Sequence, residues 1–301
     1  MSVLRILEAG LRSTVQDRGR WGHLREAIPA AGPADPGAFE AAQRLVGNTA
    51  EDAAIEIVGL PFRFTLEAPR LIAATGREVR VRGRGVVGGW TAVFARAGEE
   101  IAVEGTARTR FAYLAVSGGI DVAPLLGSRA TYLPALIGPL PRVLAPGDAL
   151  PLGAPRAGAD RAGRSLPRAE PNGRVLAMRG PHADRFAEGS FFGRRFRVSA
   201  SSDRVGLRLE GARLERSGGE ILSIGVAPGA VQVPHGGEPI VLLADAQTTG
   251  GYPVIANVIG PDLGTVAQAA PGEELSFYEV DRAAALEARR AERRWLEASE
   301  R

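Results

Sequence analysis

GGEPIVLLADAQTTGGYP, residues 236–253, is the stretch on which the reading of the fold turns. Pro239 to Ala244 is a short apolar run of β type that breaks off at Asp245, after which Asp, Gln, two Thr and two Gly precede an aromatic residue. That is the pattern of a buried strand delivering a polar turn. Gly250 and Gly251 carry no side chain that would hold a ligand or another backbone at a distance, while Asp245, Gln247, Thr248 and Thr249 supply acceptors and donors. Two readings stand at this point: a binding turn, or a tight turn whose polar groups only cap their own backbone.

Outward from that stretch, the chain is strand after strand. AAIEIVG, FRFTLE, LIAATG and VRVRG follow one another from Ala53, and Val79-Arg80-Val81-Arg82 alternates as a half-exposed strand does. With 39 glycines, 21 prolines and 45% hydrophobic residues in 301, the chain suits a mainly β protein with a large core, and its length suits two domains. Helical pattern is confined to Phe39, Ala42, Leu45 and Val46 after the turn at Asp35, and to the charged closing segment that Asp281 is placed to cap. Residues 154–173, dense in Ala, Pro, Gly and Arg, read as a linker. The expected divisions are therefore 1–153, a first β-barrel-like half; 154–173, the linker; 174–280, a second β-barrel half; and 281–301, a charged helix.

Composition excludes several chemistries. There is no cysteine, which removes disulfides and thiolate nucleophiles and favours a cytoplasmic location; there is no long apolar segment, so no membrane partner is expected. All 37 basic residues other than histidine are arginine, so a lysine Schiff base is impossible. The arginines are spread among 34 acidic residues without interleaved aromatics, so no nucleic acid is expected either. His23, His182 and His235 are widely spaced, which gives no metal-ligand pattern. The Gly/Ser turns at Ser117–Ile120 and Leu126–Thr131 lack the spacing of a phosphate-binding P-loop.

The halves share an order of features. Asp35, Glu56, LIAATG, Gly88-Gly89-Trp90 and Ala97-Gly98-Glu99-Glu100-Ile101 are followed by Asp203, Glu220, IVLLAD, Gly250-Gly251-Tyr252 and Pro271-Gly272-Glu273-Glu274-Leu275. This order suggests a duplicated β module, for which small closed barrels are the natural solution because they leave no sheet edge.

STVQDRGRWG, GPAD, LVGN, YLAVSGGIDV, LGSRAT, SDRVGLRLEG, VQVP and LLADAQTTGGYPVIANVI, in that order, resemble the biotin-dependent carboxyltransferase domain family, which includes allophanate hydrolase subunit 2, KipA and the C subunit of bacterial ATP-dependent 5-oxoprolinase. The resemblance runs to about Val280. Gly32-Pro33-Ala34-Asp35 stands where the family usually has Gly-Ala-Met-Asp. What the resemblance implies is a mainly β fold of two tandem cyclophilin-like β-barrel units with a few short helices. It also implies one component of a hydrolase, inactive alone, that helps open 5-oxo-L-proline to L-glutamate with two partner chains, a KipI-like B subunit and a lactam-utilisation A subunit. ATP would be a co-substrate of that complex; no covalent biotin is possible without a lysine. Two other roles remain open: a KipA-type regulator that binds a KipI-like kinase inhibitor, and a carboxyltransferase component acting on urea or amide substrates with a separate biotin carrier.

For a small lactam carboxylate, the implied substrate, the candidate catalytic residues are Asp203, Arg204 and Asp245. Arg204 and Arg20 are candidate carboxylate clamps, because a guanidinium offers a bidentate fork. Asp203, Asp245 and Asp35 are candidate base or orienting groups; Gln232, Gln247 and Gln268 are candidates to read the lactam. Gln16, Thr249, Gly250 and Gly251 complete the expected binding set. Arg204 has the alternative of pairing with Asp203 or Asp245 to brace the barrel.

Overall fold

The computed structural model describes residues 2–298. These form two compact units, the first from residues 2–20, 31–170 and 293–298, the second from Trp21–Ala30 and Pro171–Glu292. Each unit thus takes a segment from the far side of the sequence.

Unit 1 contains strands β1 (Ser2–Ala9), β2 (Arg12–Gln16), β3 (Ala54–Val58), β4 (Phe62–Leu66), β5 (Arg70–Gly76), β6 (Arg80–Arg82), β7 (Val86–Gly88), β8 (Thr91–Ala95), β9 (Ile101–Glu104), β10 (Ala112–Val116) and β11 (Ala149–Leu152). They lie in two sheets, ordered β11-β1-β4-β9-β6-β7 and β2-β3-β10-β5-β8. One face of each sheet feeds a single core: Leu4, Ile6, Phe62, Phe64 and Val103 from the first meet Ile55, Ile57, Ile72 and Leu114 from the second. Period-2 alternation does this, since Phe62, Phe64 and Leu66 turn inward while Arg63 between them is exposed.

Helix α1 (Pro36–Leu45) covers the outer face of the second sheet, with Phe39 edge-on to Tyr113 at 6.0 Å and the Thr75 hydroxyl donating to the Ala38 carbonyl at 2.7 Å. Asp35 caps α1 by accepting from the Ala38 N–H, and both of its carboxylate oxygens accept from Arg168 at 3.0 Å. Its own N–H donates to the Tyr113 hydroxyl, which donates to Glu56. Residues 154–170, set apart by composition as a linker, belong to unit 1. Ala92 of β8 exchanges backbone hydrogen bonds with Gly163 and Arg164, and Leu166 is buried, so this stretch covers what is otherwise a bare sheet edge.

Unit 2 contains β12 (Arg174–Arg179), β13 (Arg195–Val198), β14 (Gly206–Glu210), β15 (Ile224–Gly225), β16 (Ala230–Gln232), β17 (Ile240–Leu242), β18 (Thr249–Gly250), β19 (Val254–Val258), the short helix α2 (Leu263–Gln268) and β20 (Glu274–Glu279). Seven of these strands close into a barrel, β12-β19-β16-β17-β14-β13-β20, in which β20 returns parallel to β12; β15 and β18 make a separate two-stranded ribbon. The barrel is filled by side chains, with Phe191 stacked on Phe277 at 4.7 Å among Val175, Phe196, Leu207, Val231 and Val241. Alternate residues of the same strands, Ala230, Leu242 and Val254, face outward and form a smaller cluster with Ile224 and Val226.

The mainly β class and the closed barrel of the second half are as expected; the strands of the first half form two sheets about one core. The matched order of the halves breaks at Glu220, which is exposed outside any strand, whereas Glu56 is buried in β3. The closing helix α3 (Arg282–Glu297) has Asp281 at its start, accepting from the Ala284 N–H at 2.8 Å.

Asp35 is both a helix cap and a buried anion, so the two roles separate by substitution. Asp35→Ala is expected to lower the unfolding free energy by about 3–5 kcal/mol, the scale for breaking a buried ion pair, and Asp35→Asn, which retains a capping acceptor, by less. Urea unfolding followed by circular dichroism measures both; equal losses in the two variants would show that the cap contributes nothing.

Candidate functional site

The polar turn leaves β17 under tight control. Leu243 and Asp245 donate their N–H groups to the carbonyls of Val205 and Arg204, and Arg204 returns two side-chain bonds to Asp245, Nε to Oδ2 and Nη2 to Oδ1, both at 2.9 Å. Both side chains are 4% exposed. A buried carboxylate and guanidinium held in this bidentate way satisfy each other, so the pair fixes the direction in which the turn departs. The turn then folds back over the outer wall of the barrel. Gln247 Nε2 donates to Gln232 Oε1 on β16 at 3.1 Å, Val226 N–H donates to the Thr248 carbonyl, and Thr249–Gly250 pair with Ile224–Gly225.

Gly250 has a use the sequence does not suggest: a Cβ at that position would overlap the Gln232 amide nitrogen, so the missing side chain leaves room for the end of the Gln232 side chain. Gln232 Nε2 has no hydrogen-bond partner among the described residues. At Gly251 a Cβ would meet only the Ser223 hydroxyl, in ordinary contact.

The other expected residues are dispersed. Asp203 is exposed and accepts from the N–H groups of Val205 and Gly206, capping its own turn. Gln268 is buried at the end of α2. In unit 1, Gln16 and Arg20 both grip the 125–131 loop. Gln16 Nε2 donates to the Thr131 carbonyl, and Arg20 donates to the carbonyls of Leu125 and Ala130. Asp17 joins them, accepting from Gly19 N–H, the Ser128 hydroxyl and Arg129 N–H. Burial pulls the Arg20 guanidinium below its ordinary pKa, and the nearby Asp17 carboxylate opposes that shift. Gln16 Oε1 and Arg20 Nη1 are buried without hydrogen-bond partners among the described residues. Asp35 is apart from these, at the start of α1.

The cleft of unit 2 lies on the outside of its barrel. About 580 Å³ in volume, it is bounded by the wall residues Ala230, Val254 and Asn257, by Ile224, Thr248 and Thr249 of the ribbon and turn, and by Leu24 and Arg25. Of the expected set, Thr249 alone lines it. Leu24 and Arg25 sit in a single 3-10 turn, Leu24–Glu26, within the Trp21–Ala30 segment; the sequence places this segment in the first half, but it belongs to the second unit. Nothing in its local pattern signals this, because its neighbours in space come from the other half of the sequence. Among the described residues there is no group of three or more His, Asp or Glu side chains placed to hold a metal ion, and no helix is long and apolar enough to cross a membrane.

Residues 26–279 match the family described as carboxyltransferase domain, subdomain A and B, and the chain belongs to that family. It is 38% identical to the 5-oxoprolinase C subunit of Escherichia coli (strain K12) over 302 residues, covering 98% of this chain and 97% of that protein. It is 33% identical to the corresponding 5-oxoprolinase C subunit of Haemophilus influenzae, covering 97% and 96%. Among solved structures, the urea amidolyase of K. lactis superposes with a TM-score of 0.89 at 27% identity over 99% of this chain, which spans 20% of that longer one.

If Arg204 and Asp245 serve each other, removing either alone strands a buried charge. Arg204→Ala and Asp245→Ala are each expected to cost about 3–5 kcal/mol of stability, and the double variant less than the sum of the two. A denaturant double-mutant cycle measures the coupling; strictly additive losses would show that the two side chains do not depend on each other.

Proposed function

We propose that this chain is the C subunit of a 5-oxoprolinase, a hydrolase complex that opens the cyclic amide of 5-oxo-L-proline to L-glutamate at the expense of ATP. The observation that carries the reading is the end-to-end match to two bacterial proteins of that name, with 97% of the E. coli protein covered. Its partners on this reading are a KipI-like B subunit and a lactam-utilisation A subunit, and the chain is inactive without them. ATP is the co-substrate of the assembly. This chain carries no P-loop motif, and we assign it a part in handling the lactam substrate.

The chemistry asks two things of a chain that handles this substrate. A lactam carbonyl is a poor electrophile, and charge that builds on its oxygen as it is activated must be met by fixed donors. The carboxylate must be held so that the ring is presented in one orientation. A second reading, a carboxyltransferase component for urea-like amides, is favoured by the likeness to urea amidolyase. It requires a biotin carried on another chain, since this one has no lysine to carry it.

Co-expression with candidate partners of both kinds, followed by assay of ATP-dependent glutamate release from 5-oxo-L-proline, decides between them. The expected result is turnover that requires all three chains. Undiminished turnover without this chain would overturn the reading, and carboxylation of urea that requires this chain, with bicarbonate, ATP, a biotin carboxylase and a biotin carrier supplied, would replace it with the second.

A further inference from the structure

We infer that the cleft on the outer wall of the unit 2 barrel is a binding site for a small carboxylate with a compact apolar body and an amide group, with Arg25 as its carboxylate clamp. The inference deepens the proposed function, on which the naming of 5-oxo-L-proline as the ligand rests.

Four residues with polar side chains line this cleft: Arg25, Thr248, Thr249 and Asn257. Among the described residues none of the four makes a side-chain hydrogen bond or ion pair within the protein. This differs from the rest of the expected site. The Asp245 carboxylate is committed to Arg204, Gln247 to Gln232, and Asp203 to its own turn. The two threonine hydroxyls of the turn, by contrast, carry no such commitment. They face Asn257 of β19 across an apolar floor that includes Ala230, Val254 and Ile224.

The composition of the cleft states the chemistry of its ligand. A guanidinium with free N–H groups matches a carboxylate bidentately. An asparagine amide offers both a donor and an acceptor, as a lactam does in reverse, and the threonine hydroxyls can donate to its carbonyl oxygen. The floor suits a few methylene groups. A volume of about 580 Å³ lies within the range of small-molecule sites. Arg204 is not the clamp, because its fork is already filled by Asp245.

The test is a substitution that spares the fold. Arg25 is exposed on a single turn, so Arg25→Ala is expected to fold normally. In the assembled complex it should raise KM for 5-oxo-L-proline about tenfold or more, the scale of a lost charge-assisted hydrogen bond, with kcat little changed. Inhibition by 2-pyrrolidinone, which has the lactam but no carboxylate, should be the same in both proteins. An unchanged KM would overturn the clamp.

A second readout does not depend on turnover. In the full ¹⁵N-labelled chain, 5-oxo-L-proline should shift the side-chain amide of Asn257 and the backbone amide of Thr249. Cyclopentanecarboxylate, which lacks the lactam, should shift Thr249 and Asn257 less, and in Arg25→Ala both responses should need about tenfold more ligand. If none of these resonances moves at millimolar ligand, the site is overturned whatever the complex does. If they move while the wild-type complex fails to turn over 5-oxo-L-proline, the site stands and the proposed function falls.

Discussion

A closed barrel whose interior is filled leaves a ligand only the outside. In unit 2 the inward residues of seven strands, among them Phe196, Leu207, Val231, Val241 and Phe277, meet with Phe191 and leave no room at the centre. Strand alternation then dictates what the outer wall offers: Ala230, Leu242 and Val254, each next in its strand to a residue that lies inside, Val231, Val241 and Ile255. A wall of small apolar side chains has to be covered. The ribbon of β15 and β18 and the segment from Trp21 to Ala30 stand over it, and the space left between them and the wall is the cleft. The site is thus a consequence of how the barrel hides its outer surface.

Three arginines, two buried and one half-buried, are handled the same way. With arginine as its only strong cation besides the terminus, the protein uses planar forks against paired acceptors: Arg204 on Asp245 in unit 2, Arg168 on Asp35 in unit 1, and Arg20 on two carbonyls of the 125–131 loop. Each fork ties a turn to an element distant in sequence, which is what lets long glycine-rich connections hold one conformation. Residues that look catalytic in a sequence are in several cases these ties. Arg25 differs because nothing within the described protein fills its fork.

Much of this was legible beforehand, for physical reasons that can be named. Val79-Arg80-Val81-Arg82 alternates in the sequence and does so in the fold, where Val81 is buried between exposed Arg80 and Arg82. Asp35 before an apolar helical pattern caps α1, and Asp281 starts the closing helix, because capping is local chemistry. What was not legible depends on distant partners. Gly250 suggests room for a ligand, yet it gives that room to Gln232, and no local pattern encodes the meeting. Residues 154–170 have the composition of a linker but complete the edge of β8 through their backbone, which composition does not report. The most consequential gap was Trp21–Ala30, which sits among first-half residues in sequence and supplies Arg25 to a cleft of the second unit.

The central claim is that the polar turn braces the barrel while the ligand sits beside it on the outer wall. A crystal structure of the chain with 5-oxo-L-proline tests this most directly. The predicted result is ligand density between Arg25, Thr249 and Asn257, with the Arg204–Asp245 pair unbroken at its present 2.9 Å contacts. A ligand carboxylate seated on Arg204, with Asp245 displaced and the outer cleft empty, would contradict it.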